Sequence, residues 1–211
     1  MKDSTMLCKL FFLLALLFGL GLSSAAAAVP LPRLQLRRNH KITELSNDPL
    51  IKAACRGVGD HESECISTLQ SAPQHQKADA DGLAFFTLRY VEDHAVNLTV
   101  DIKKIIQGPD VAPLLQSALS DCMDQYNPLD DLIEDAINAL LAKAYSDAKK
   151  FVDAAISNID ECDKEFKASN LQEKAENKTG DNDVYVNFMK EYNVFLKNML
   201  SAALSILKKI N

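Results

Sequence analysis

From Phe85 onward the apolar residues recur at helical spacing. Phe85, Leu88, Val91, Ala95, Leu98, Ile102 and Ile105 follow in steps of three or four, with Arg89, Glu92, Asp93 and Lys103 beside them. Such a stripe is one face of an amphipathic helix. Gly108-Pro109 ends it. Asp110 is placed to cap the next helix, and Pro113 is tolerated in that helix's first turn. The second stripe is Leu115, Ala118, Cys122, Tyr126, Leu129, Ile133, Ala136 and Leu140. It passes through Pro128 without losing phase, which predicts a kink near Asn127-Pro128 and no reversal of the chain. A third stripe is Ala148, Phe151 or Val152, Ala155, Ile159, Cys162 and Phe166. The polar stretch from Lys167 to Asp183 reads as a loop, with Asp183 as a cap for the last helix. That helix carries Tyr185, Phe188, Tyr192, Phe195, Met199, Ala203, Ile206 and Ile210. No two-residue alternation is strong enough to require a sheet. Isolated helices are marginal in water, so the four stripes must bury against one another. The pattern predicts an all-α fold, an up-down-up-down four-helix bundle over residues 82–211.

Ahead of the bundle, residues 39–81 hold Ile42, Leu45, Leu50, Ile51, Ile66 and Leu69 around Asp48-Pro49. This reads as short helices folded into a hairpin. The chain opens differently. Lys2 and Lys9 precede an apolar run from Leu10 to Leu22, and Ser23-Ser24-Ala25-Ala26-Ala27-Ala28 follows. A weakly basic start, a short apolar core and a small-x-small site at Ala26 and Ala28 are the parts of a secretory signal peptide, residues 1–28. A membrane anchor would need about 20 apolar residues, which Leu10 to Val29 approaches, but the alanine run and two glycines favour cleavage. The remainder, 39–211, reads as one domain, with no membrane association expected once the signal is removed.

Export changes how the cysteines are read. Cys8 leaves with the signal, and Cys55, Cys65, Cys122 and Cys162 remain. An even count in an oxidising compartment suggests two disulfides, with three pairings possible in principle. Cys55 and Cys65 share one local segment, whereas Cys122 and Cys162 lie in separate helical patterns, so Cys55–Cys65 and Cys122–Cys162 are expected. The longer closure would stabilise by about 4 kcal/mol in the loop-entropy picture. The cross-link matters most in the hairpin, which is too small to stay closed by core burial alone.

Composition narrows the function classes. Apolar residues at 47% and charged residues at 25% describe a globular chain. Basic residues number 23 against 29 acidic, so there is no surplus to neutralise phosphates, and nucleic-acid binding is not expected. Candidate chemistry is sparse. His40, His61, His75 and His94 form neither HExxH nor ExxH pairs, and no GxSxG, GxGxxG or phosphate-binding loop occurs. His61 beside Glu62 and Glu64 reads as surface, and His61 with Cys65 lacks zinc-site partners. Asp130-Asp131 with Glu134-Asp135 is an acidic patch that reads as a solvated helix face, or else as a cation or partner site. No catalytic residue, metal or cofactor is therefore expected. Two glycosylation sequons are present, Asn97-Leu98-Thr99 and Asn177-Lys178-Thr179. Asn177 falls in the polar loop. Asn97 sits beside core Leu98, and its modification depends on which way it faces.

The chain resembles the plant invertase and pectin methylesterase inhibitor family. Cys55 and Cys65, followed by Ile66-Ser67-Thr68-Leu69-Gln70-Ser71, are similar to the family's first motif. Ala118-Leu119-Ser120-Asp121-Cys122 with Tyr126 resembles its third-cysteine segment. Tyr145-Ser146-Asp147-Ala148 and the run from Ala154 to Phe166 resemble the fourth, and Ser201 to Lys209 the terminal helix. The likeness covers roughly residues 40–211. It implies a helical hairpin plus a four-helix bundle, with cysteines paired first-to-second and third-to-fourth. Four features depart from the pattern. The Pro-Lys-Phe that some invertase inhibitors carry between the second and third bundle helices is matched by Tyr145-Ser146-Asp147. The threonine after the first cysteine is absent. The asparagine usual in the last helix is matched by Ala202, and Pro128 interrupts a helix usually continuous.

The resemblance implies a secreted inhibitor and not an enzyme. Its target would be pectin methylesterase (pectinesterase) or acid invertase (β-fructofuranosidase), bound one-to-one in the cell wall or the vacuole. In the esterase mode a helical face would cover the substrate cleft. In the invertase mode the joint between the second and third bundle helices would enter the active site, with Lys143, Tyr145, Ser146 and Asp147 as contacts. The rival reading is a secreted ligand carrier or storage bundle without an enzyme target. A third is a bundle enzyme using a metal at the acidic patch.

Overall fold

A computed structural model describes residues 48–109, 111–169 and 181–210. The expected signal peptide, the hairpin's first residues, His40, the Asp110 cap and Asn177 lie outside the described residues. Among those described, every regular element is helical. Helix α1 is Pro49–Cys55 and, after a 3-10 turn at Gly59–His61, α2 is Glu62–Gln70. Then come α3, Ala80–Ile106; α4, Pro113–Tyr126; α5, Leu129–Leu141; α6, Tyr145–Ala168; and α7, Asp181–Leu207.

Local chemistry explains the starts and stops. Asp48 caps α1, its carboxylate accepting from the backbone N–H of Leu50 at 2.8 Å and of Ile51 at 3.3 Å, and Pro49 follows where a missing N–H is harmless. Asp79 caps α3 by accepting from Gly82 N–H at 2.7 Å. Pro113 opens α4. Between α4 and α5 the backbone never leaves the right-handed helical region. Asn127 (φ −56°, ψ −42°) still donates to Met123 O at 2.8 Å, and Leu132 donates to Pro128 O at 3.1 Å. Pro128 removes one donor and bends the rod without reversing it. Cys122, Tyr126, Leu129 and Ile133 are accordingly buried in succession across the bend.

Side-chain pairs give the helix directions. Asp81 at the start of α3 meets Lys143 after the end of α5, and Arg89, about two turns later in α3, meets Glu134, more than two turns before Lys143, so α3 and α5 are antiparallel. Cys122–Cys162 ties α4 to α6. Asp160 of α6 meets Lys197 of α7, while Asp163 meets Asn193, so these two also run in opposite directions. Tyr90 and Phe195 close the ring between α3 and α7. The kinked α4–α5 rod thus counts as one of four bundle helices, each packed on two neighbours.

The stripes fill the interior. Leu88, Val91, Leu98, Ile102, Ile133, Val152, Ile159, Met199 and Ile206 are all buried. Val152, and not Phe151, takes the alternative core position in α6. Both edges of the polar stretch are helical where a loop is expected. Helix α6 runs on to Ala168, carried by buried Phe166, and α7 already begins at Asp181. Asp183 therefore lies inside the first turn of α7 and does not cap it, and the first bundle helix starts at Ala80. The Cys55–Cys65 bridge closes α1 onto α2 with Cα atoms 5.7 Å apart. The hairpin's buried side chains include Ile51, Ala54, Ile66 and Leu69, and α1 lies mainly against α7.

Candidate functional site

The joint between α5 and α6 is three residues long, Ala142 to Ala144. Ala144 N–H bonds Ala139 O at 2.8 Å and Lys143 N–H bonds Leu140 O at 3.0 Å. This is the two-bond Schellman closure, and it places Lys143 in the left-handed region at φ 60°. Lysine there carries a backbone cost that glycine would avoid, of about 1 kcal/mol. Its side chain swings back to α3, with Nζ 2.9 Å from Asp81 Oδ1. The bond to Asp81 is the main cause raising the Lys143 ammonium above the usual lysine range. Tyr145 OH donates to the same Oδ1 at 3.1 Å, and the Lys143 charge lies 5.9 Å from the Tyr145 ring centre. Ser146 and Asp147 are exposed beside them, Asp147 paired with Lys150 at 2.8 Å. Leu141, just before the joint, is 62% exposed.

The structure thus gathers all four candidate contacts at one end of the bundle and adds two residues that the sequence did not single out. Asp81 is remote along the chain, and nothing in its own segment marks it. Leu141 could have been found as an apolar residue off the core stripe. The assembled surface holds a cation, a phenol, carboxylates, a hydroxyl and one bare leucine on a rigid turn. It holds no nucleophile paired with a base.

The other candidates fare differently. Glu134 of the acidic patch is bound by Arg89 Nη1 at 2.7 Å, while Asp130, Asp131 and Asp135 stand in solvent. Arg89 also holds Glu92 at 2.6 Å and lies 5.7 Å from the Phe85 ring centre, so this face is a helix-to-helix tie. Among the described residues no group of three or more His, Cys, Asp or Glu is placed to hold a metal ion. His61 is exposed, 3.3 Å from Glu64, and His75 is exposed. His94 lies between Tyr90 at 4.5 Å and Phe195 at 5.2 Å between ring centres, and burial lowers its pKa. Asn97 is exposed.

One interior group was missed altogether. Asn193 is fully buried; its amide oxygen accepts from Tyr126 OH, and its amide nitrogen donates to Asp163 at 2.5 Å and reaches Cys162 Sγ at 3.4 Å. Lys197 Nζ joins Asp163 at 2.5 Å and Asp160 at 2.9 Å. Burial pushes the Tyr126 phenol well above its ordinary range, so it stays a donor. The network links α4, α6 and α7 beside the Cys122–Cys162 bridge. Ala202, at the position matched to the family's last-helix asparagine, is buried, and the buried asparagine of α7 is Asn193, more than two turns earlier.

The family model described as plant invertase/pectin methylesterase inhibitor matches residues 49–206. A Platanus acerifolia protein named "Putative invertase inhibitor" is 25% identical over 123 residues, 56% of this chain and 68% of its own length. The Platanus orientalis protein of the same name is 23% identical over 123 residues, 56% of this chain and 72% of its own. Among solved structures, a mutant form of a pectin methylesterase inhibitor from Arabidopsis aligns with a TM-score of 0.59 at 22% identity, over 75% of this chain and 95% of that one. A second Arabidopsis pectin methylesterase inhibitor aligns at 0.52 and 20% identity, over 79% and 99%. At these identities the structural likeness establishes the fold.

Proposed function

The chain belongs to the plant invertase/pectin methylesterase inhibitor family, and from this premise we propose that it is a secreted inhibitor that occludes the active-site cleft of a plant cell-wall enzyme, pectin methylesterase or acid invertase, in a one-to-one complex. The family match across residues 49–206 carries the reading. The bundle adds a physical reason. A cross-linked rod with a three-residue joint has little conformational freedom to lose on docking, so more of the contact energy appears as affinity. Leu141, Lys143, Tyr145, Ser146 and Asp147 form the leading edge. Tyr145 is the central anchor, because a tyrosine supplies a large contact at low entropic cost. The inhibitor domain in this reading is residues 39–211, hairpin and bundle together, released by cleavage after Ala28 into the wall or vacuole.

The test uses the mature chain, residues 29–211, refolded with both disulfides and titrated against each enzyme. The expected result is saturating inhibition of one of them near equimolar ratio, lost on reduction. Full activity of both enzymes at any excess of inhibitor would overturn the reading. Co-purification of a lipid or hormone with such an inert chain would favour the carrier.

A further inference from the structure

We propose that Asn97 carries an N-linked oligosaccharide that covers the one paired apolar patch on the outer face of α3. Helix phase decides what the sequon alone left open. Leu98 is fully buried, and Asn97 one position earlier is exposed. Val96 and Val100 flank it, 43% and 45% exposed and one turn apart. The other large exposed apolar side chains among the described residues, Leu114, Leu141 and Val184, stand singly on other helices. Two half-exposed valines on the solvent side of a helix add aggregation risk. A sugar on the side chain between them would shield both.

The local chemistry accommodates the modification. Asn97 Nδ2 donates one hydrogen to Asp93 O at 2.8 Å, and Thr99 Oγ1 donates to Val96 O at 2.7 Å. The transfer forms a bond from Nδ2 to the anomeric carbon of an oligosaccharide. It breaks the bond from that carbon to a lipid-linked pyrophosphate donor, whose oxygen keeps the electron pair. One Nδ2 proton leaves to the transferase's base. A single Nδ2 hydrogen remains, enough to keep the bond to Asp93 O in the folded protein. Asn97 lies 16 residues along α3 from Asp81, about 24 Å at the helical rise, so the glycan leaves the α5–α6 end open and closes the outer face of α3 to a partner.

This inference rests on the secretory reading, and the experiment separates the two. The full chain is expressed through the secretory route of plant cells. Protein recovered outside the cells is mapped by peptide mass before and after enzymatic deglycosylation, alongside N97Q, T99A and T99S. A glycan on Asn97, absent from N97Q and T99A and retained in T99S, is expected. The stripped protein should bind a hydrophobic dye more strongly, and V96S/V100S should abolish that gain. A secreted, signal-cleaved chain with bare Asn97 overturns this inference alone. An uncleaved chain held inside the cell with bare Asn97 overturns it together with the secretory reading. A glycosylated Asn97 whose removal leaves dye binding unchanged overturns the shielding role.

Discussion

Asn193 shows how much one side chain can hold. Its amide satisfies Tyr126 and Asp163 at once, and removing it leaves a buried phenol and a largely buried carboxylate short of partners. N193A should therefore lose about 2–4 kcal/mol of stability, read as a lower urea midpoint at unchanged slope. Gly82 is the second such position. A methyl group there would sit 2.6 Å from Gln76 O, a backbone atom that cannot swing aside. G82A should cost about 1–3 kcal/mol by the same measurement, because the loop before α3 must be displaced. Neither residue was legible in the sequence. Asn193 is a polar residue between the core positions Tyr192 and Phe195, and Gly82 is an unremarked glycine before an apolar stripe. Their importance comes from atoms far away along the chain or across a loop. At the joint the residue-scale prediction concerns the partner. Y145A with L141A should raise the inhibition constant at least tenfold with the circular-dichroism spectrum unchanged, given that central aromatic anchors exceed 1.4 kcal/mol each.

At the scale of elements, periodicity was the dependable signal. A helix that buries one side must repeat its apolar residues every three or four positions, so the four bundle stripes and the bend at Pro128 were readable before any coordinates. The ends were less so, because a helix stops where capping and packing run out, and both are partly non-local. Phe166 keeps α6 going into a polar stretch by burying at its end, and the Asp183 cap fails because α7 starts two residues earlier. Cross-links act on elements too. Cys122–Cys162 joins α4 and α6 across 40 positions. Replacing both with serine should lower stability by about 3–4 kcal/mol, beyond any effect at the hairpin, seen as a fall in Tm. Retained Tm in that variant would show that the interior network alone holds these helices together.

Over the whole molecule, pH is the informative variable. His94 is half-buried between two aromatic rings, and burial lowers its pKa below the ordinary value. The folded state thus favours neutral imidazole more than the unfolded chain does. That contribution is present above about pH 6.5 and is lost as pH falls through the folded value. Glu92 has the opposite sign. Burial raises its carboxyl, so its contribution is present at low pH and is lost as pH rises through the folded value. H94Q removes the first effect and leaves the second. Tm of the natural chain should fall from pH 7.5 to 5.5 more steeply than that of H94Q, and parallel curves would show that His94 does not govern this window. An acidic medium would place the protein on the falling side of this curve.

The sequence by itself determined that the chain is helical, where its four long stripes lie, which cysteines share a segment, and which family it resembles. These are local or nearly periodic properties, written in spacing along one strand of residues. Only the tertiary structure decided that Asp81 would lock Lys143 and Tyr145, that Asn193 would bridge three helices, and that Asn97 would face water. Each of those depends on which helices become neighbours and on the rotation of each about its axis. A rotation of a few tens of degrees, set by the packing of all four helices together, separates a buried amide from an exposed one.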